Sequence, residues 1–166
     1  MNKIEIITNS ASETQRAGEI LGQEITKSKP RTKQKRESGL VRGKLENEKA
    51  LVIGLEGELG SGKTTFVQGL AKGLKIKERI TSPTFVILKK FDLRPATHFQ
   101  NFYHIDCYRF TSADQLIDLG FREIINHPEN LVVIEWAERV RKILSQNTLW
   151  IKFEYLDKNK RKMTII

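Results

Sequence analysis

Gly57-Glu58-Leu59-Gly60-Ser61-Gly62-Lys63-Thr64-Thr65 follows the pattern G-x-x-x-x-G-K-[ST] of a phosphate-binding loop. Gly60 and Gly62 let the backbone curl without Cβ clashes, so successive N–H groups turn inward onto phosphate oxygens. The loop then opens a helix, whose N-terminus adds partial positive charge at the same spot. In this pattern Lys63 reaches the β- and γ-phosphates, and the Thr64 hydroxyl binds Mg²⁺. The flanks fit. Residues 50–56 form an apolar, strand-like run. After the loop, Phe66, Leu70, Ala71 and Leu74 recur at helical spacing, with Gly73 as a C-terminal stop.

Working outward, residues 3–7 alternate as a strand. Ser10 and Glu13 form a capping box for a helix to about residue 26, with Ala17, Ile20, Leu21 and Ile25 facing inward. Beyond the loop helix, the second half of residues 80–91 is strand-like. A turn over 92–100 leads to a partner strand at 101–106, which predicts an antiparallel hairpin. Ser112 caps a short helix that Gly120 breaks, and a second short helix runs over 121–126. Residues 131–136 are an apolar strand ending in an acid, as in a buried central strand. Residues 137–144 are helical, and 148–156 and 161–166 are strands around a turn. The pattern predicts an α/β fold: one three-layer P-loop NTPase-like domain over residues 1–166, with a mixed sheet and antiparallel edge hairpins.

The chain has 166 residues and a net charge of +9. No apolar run approaches the roughly 20 residues of a membrane span. There is no apolar signal-peptide core after Met1, and Cys107 is the only cysteine. These features point to the cytoplasm, with Cys107 as a small buried hydrophobe. The charge is uneven. Residues 27–49 carry nine Lys/Arg against three Glu, a net of +6. That basic insertion reads both as a solvated, flexible loop and as an electrostatic arm for RNA phosphates, and the two are compatible.

Three segments bear on what is done with the nucleotide. Ile134-Glu135 places a carboxylate at a strand end, where phosphate-loop proteins keep the acid that orders Mg²⁺; Mg²⁺ ligation and water activation both remain open. His104 and Asp106 share a strand face by period-2 alternation. Asp106 is a candidate metal-shell ligand or water-orienting base, or alternatively pairs with Arg109 or caps a turn. His104 reads as a satisfied structural histidine. The hydroxyls of Thr81-Ser82-Pro83-Thr84 read as a γ-phosphate sensor or as plain turn chemistry.

Together with Ser82-Pro83-Thr84-Phe85, His104-Ile105-Asp106-Cys107-Tyr108-Arg109, Leu119-Gly120-Phe121 and Val133-Ile134-Glu135-Trp136-Ala137-Glu138-Arg139, the loop resembles the bacterial TsaE (YjeE) family over nearly the whole chain. The resemblance implies a small ATPase that uses ATP and Mg²⁺ and is weakly active alone. It would serve threonylcarbamoyl modification of the tRNA adenosine beside the anticodon and dock on the TsaD–TsaB heterodimer, with TsaD making the transfer. By the same resemblance, Gly60, Ser61, Gly62, Lys63, Thr64 and Thr65 wrap the phosphates, and Thr64 and Glu135 hold Mg²⁺. Asp106 assists hydrolysis or nucleotide contacts, and Thr84 lies in a switch-like segment. Trp136 and Glu138 sit at the nucleotide or partner edge, Arg161 lies near the nucleotide, and the turn 9–12 borders the adenine. The insertion departs from the family, so its role is not inherited; tRNA is reached indirectly or through it. A small-molecule kinase and a nucleotide-gated module without meaningful hydrolysis are the rival readings. A GTPase lacks the N-K-x-D motif here.

Overall fold

The computed structural model describes residues 3–28, 49–81 and 87–166. Most of the basic insertion and the segment containing Thr84 lie outside them. Seven strands form one sheet in the order β1 (Ile4–Thr8), β7 (Arg161–Ile165), β6 (Leu149–Tyr155), β2 (Leu51–Glu56), β5 (Asn130–Glu135), β4 (Asn101–Asp106) and β3 (Leu88–Asp92). The four inner strands β6, β2, β5 and β4 run parallel, while β7, β1 and β3 pair antiparallel at the edges. The mixed sheet and both edge hairpins match the expectation from sequence.

Alternation along the buried strands sends side chains to two cores. Ile53, Leu55, Phe102, Leu131 and Val133 face α1 (Ala11–Lys27) and α2 (Lys63–Gly73). Val52, Ile105, Val132 and Ile134 face the opposite layer, where Leu116 of α3 (Asp114–Asp118), Phe121 of α4 (Phe121–Ile125) and Val140 of a 3₁₀ helix (Ala137–Ile143) cover them. The same alternation places His104, Asp106 and Glu135 on the α2 side, in step with Phe102, Leu131 and Val133. Phe66 of α2 meets Phe153 edge-on at 5.5 Å between ring centroids, a geometry that adds about 1 kcal/mol to its burial.

Several local expectations are corrected. Ile20 is exposed, and the buried stripe of α1 is Thr14, Gly18, Gly22 and Ile25. A Cβ on Gly18 would stand 2.1 Å from the Phe66 carbonyl oxygen, and one on Gly69 would stand 1.8 Å from the Gln15 carbonyl oxygen. The two helices thus meet backbone to backbone, and larger residues are excluded from the seam. Gly73 ends α2 as expected and is also part of this seam; the positive φ after α2 falls on Lys75. Ser10 caps α1 as expected, accepting from the Glu13 N–H at 3.1 Å. Glu13, however, reaches back to the Asn9 N–H at 2.8 Å rather than to Ser10. Ser112 does not cap α3. Gln115 instead folds back, and its Oε1 accepts from the Thr111 and Ser112 N–H groups. Residues 137–143 are helical as expected and wind as 3₁₀.

Candidate active site

Parallel strands share the direction of their C-terminal ends, and open α/β sheets place their ligand crevice there. β2 leads into the phosphate-loop sequence, β5 ends at Glu135 and β4 ends at Asp106. Register aligns Leu55 with Glu135, and Asp106 with Glu135. Three distant segments are thereby brought to one cleft of about 230 Å³, lined by Gly60, Gly62, Lys63, Thr64, Thr65, Asp106 and Glu135 among others.

The loop has the backbone its glycines predict. Gly60 has φ +74° and Gly62 φ +102°, both in the left-handed region. Gly62 directly precedes α2 and offers no side-chain cap, which leaves the N–H groups of the first turn without a capping side chain. Lys63 curls over the loop. Its Nζ donates to the carbonyls of Gly57 at 2.6 Å and Glu58 at 2.8 Å, and to Ser61 Oγ at 3.4 Å. It also lies 4.0 Å from the centroid of the Trp136 ring. Burial lowers the Lys63 pKa, and the nearby carboxylates of Glu135, Glu138 and Asp106 oppose that shift.

Thr64 donates its hydroxyl to Glu135 Oε2 at 2.7 Å. The other oxygen, Oε1, meets His104 Nε2 at 2.8 Å. Asp106 Oδ1 accepts the Tyr108 N–H at 2.8 Å, so it caps the turn after β4 while also lining the cleft. The donors that converge here are oxygens, as a hard cation requires. Among the described residues no group of three His, Cys, Asp or Glu could hold a metal unaided. The arrangement suits Mg²⁺, which is usually held by one or two protein oxygens plus phosphates and water.

The other expected residues fall less centrally. Arg161 donates Nε to the Gly60 carbonyl at 3.1 Å, and Nη1 to the carbonyls of Asp157 and Lys160 at 2.8 and 2.9 Å. It braces the loop from the β6–β7 turn. Glu138 sits on the 3₁₀ helix beside the site, and partial burial raises its carboxyl pKa. Neither lines the cleft. Thr84 lies outside the described residues. Cys107 is buried, and burial pushes its thiol up to about 12, as expected of an inert apolar filler.

Two features were not read from sequence. His104 is a partner of Glu135 rather than a satisfied structural histidine: its Nε2 meets the carboxylate, while its Nδ1 is buried without a hydrogen-bond partner among the described residues. Trp136 adopts φ +59°, a left-handed conformation that costs a non-glycine residue about 1–2 kcal/mol. The turn carries its ring to 5.0 Å from Tyr108, with the Arg139 guanidinium 5.5 Å from one ring and 5.6 Å from the other. The I-E-W and D-x-Y-R strings contain these residues, but no spacing rule pairs them.

The family model described as "Threonylcarbamoyl adenosine biosynthesis protein TsaE" matches residues 8–163. The chain belongs to the TsaE family. It is 40% identical over 127 residues to the tRNA threonylcarbamoyladenosine biosynthesis protein TsaE of Treponema pallidum, covering 76% of this chain and 89% of that protein. It is 37% identical over 115 residues to the Bacillus subtilis TsaE protein, covering 68% and 67%. The crystal structure of Bacillus subtilis YdiB superposes with a TM-score of 0.65 at 26% identity, covering 99% of this chain and 84% of that one. Among the described residues of this TsaE chain, no helix is long and apolar enough to cross a membrane.

Proposed function

We propose that this chain is a Mg²⁺-dependent ATPase that supports threonylcarbamoyl modification of the tRNA adenosine beside the anticodon, working through a TsaD–TsaB pair and from the cytoplasm. The observation that carries the reading is the Thr64–Glu135 contact, which joins the first turn of α2 to the end of β5 beside Lys63. In that reading the loop from Gly60 to Thr65 and Lys63 bind the phosphates, and Thr64 and Glu135 hold Mg²⁺. The metal would supply charge neutralisation at the phosphates. Asp106, which lines the same cleft at the end of β4, orients the attacking water. Arg161 keeps the Gly60 carbonyl turned outward, and Glu138 tempers the charge around Lys63.

The deciding measurement is single-turnover ATP hydrolysis, with Mg²⁺ or with EDTA, and with or without TsaD and TsaB. Hydrolysis that needs Mg²⁺ and rises with the partner pair supports the reading. Nucleotide binding with no hydrolysis under any condition would favour the gated-module alternative. Phosphate transfer to a small molecule would favour a kinase.

Glu135→Gln keeps the shape and loses the charge. We expect a fall of about 10- to 100-fold in Mg²⁺-dependent turnover, with little change in ATP binding measured in EDTA. Turnover at the wild-type level would remove Glu135 from the metal site. Asp106→Asn should slow turnover by about 100-fold or more while leaving ATP affinity within a few-fold. An equal loss of affinity would instead make Asp106 a binding group. For the basic insertion, deletion of residues 29–44 should weaken tRNA binding and flatten its salt dependence, read by filter binding across a salt series. An unchanged affinity and slope would sink the RNA-arm role.

A further inference from the structure

Glu135 poses a physical problem. A glutamate has one more rotatable bond than the aspartate usual at this position, so its carboxylate is harder to hold at a metal. His104 addresses it. Its imidazole is fully buried on the α2 side of β4, and Glu135 is 2% exposed on the neighbouring strand β5. Register places His104 beside Val133 and Asp106 beside Glu135, so the imidazole reaches along the sheet to the carboxylate. The contact is one-sided: Nε2 meets Oε1 at 2.8 Å, while Nδ1 is buried with no partner among the described residues. A buried polar atom without a partner is a cost that a residue serving only as packing would not need to bear. An imidazole nitrogen that faces a carboxylate is its donor, so Nε2 carries the proton in this contact.

Resting on the ATPase reading above, we propose that His104 is a positioning residue that clamps one Glu135 oxygen, so that the other is presented to Thr64 and to Mg²⁺. Such a clamp fixes which oxygen the metal receives. Loss of an outer hydrogen-bond partner of this kind commonly lowers metal affinity by about 10- to 100-fold.

The test compares His104→Leu, which removes the donor, with His104→Gln, whose side-chain amide N–H can stand in for Nε2–H. ATP affinity is measured by calorimetry over a MgCl₂ series and in EDTA, beside single-turnover rates. His104→Leu should raise the Mg²⁺ concentration for half-maximal effect about tenfold or more and leave ATP affinity in EDTA within about twofold. His104→Gln should recover most of that loss. An unchanged Mg²⁺ dependence in folded His104→Leu would overturn the clamp, as would a Gln variant no better than Leu. Imidazole ¹⁵N signals of the wild-type protein give a readout that needs no variant to fold. They should show a proton on Nε2 of His104, and an unprotonated Nε2 would overturn the proposal. Wild-type protein without Mg²⁺-dependent ATP binding would overturn the ATPase reading itself. A normal wild type with an indifferent His104→Leu would overturn this inference alone.

Discussion

Lys63→Ala is expected to abolish measurable ATP binding, with a loss of at least about 100-fold. The Lys63 ammonium is the cation placed among the loop carbonyls, 2.6 Å from Gly57 O and 2.8 Å from Glu58 O. Charge-assisted hydrogen bonds contribute about 1.5–3 kcal/mol each, so losing two of them to a phosphate already exceeds a 100-fold effect. The loss is compounded because Glu135, Glu138 and Asp106 surround the position. Without Lys63 their negative charge would face the phosphates unopposed. The truncation also releases the carbonyls that Lys63 gathers, which loosens the loop. Calorimetry with ATP and Mg²⁺ gives the affinity, and circular dichroism checks that the variant folds. A folded Lys63→Ala protein with near wild-type affinity would show that the cleft is not a phosphate site.

Gly69→Ala should be strongly destabilising, although alanine is the better helix former by about 1 kcal/mol. The added Cβ would stand 1.8 Å from the Gln15 carbonyl oxygen and 2.7 Å from its carbon. These are backbone atoms in the middle of α1, so no side-chain rotation relieves the clash and the helices must separate. Overpacking typically costs about 1–3 kcal/mol, and a rigid backbone contact on this scale belongs at or above the top of that range. Against a total stability of about 5–15 kcal/mol, that is a large fraction. Denaturant unfolding should show the midpoint falling with little change in slope. Because α2 begins at Lys63, parting α1 from α2 also shifts the phosphate loop, so ATP affinity should fall together with stability. A neutral or stabilising Gly69→Ala would contradict the close helix seam.

Much of the fold was legible because its signals are local. The apolar runs of β2 and β5, the glycines of the loop and the Ser10 cap each act within a few residues, and each formed close to where it was expected. Errors arose where a neighbouring element decides. Ile20 reads as a core residue on a helical wheel, yet the seam with α2 selects glycines and turns Ile20 outward. Ser112 is a sound cap by type, but the cap position of α3 falls one residue later, at Ala113, and the Gln115 side chain folds back onto the Thr111 and Ser112 N–H groups. Gly73 does end α2, but its second role in the seam is hidden because the residue pressed against it, Gly22, lies 51 positions away.

The division is similar at the site. The sequence alone determined the phosphate loop, its Lys63 and Thr64, and the strand-end acids Asp106 and Glu135, because a loop motif and a strand end are short-range patterns with their own chemistry. Only the tertiary structure decided that Glu135 is shared between Thr64 and His104, that Arg161 grips the loop carbonyl rather than lining the cleft, and that Trp136 lies under Lys63. Those contacts join residues 31 to 101 positions apart. Parallel strand register sets the first, and the closing of the β6–β7 turn over the loop sets the second. Neither leaves a periodic trace along the chain.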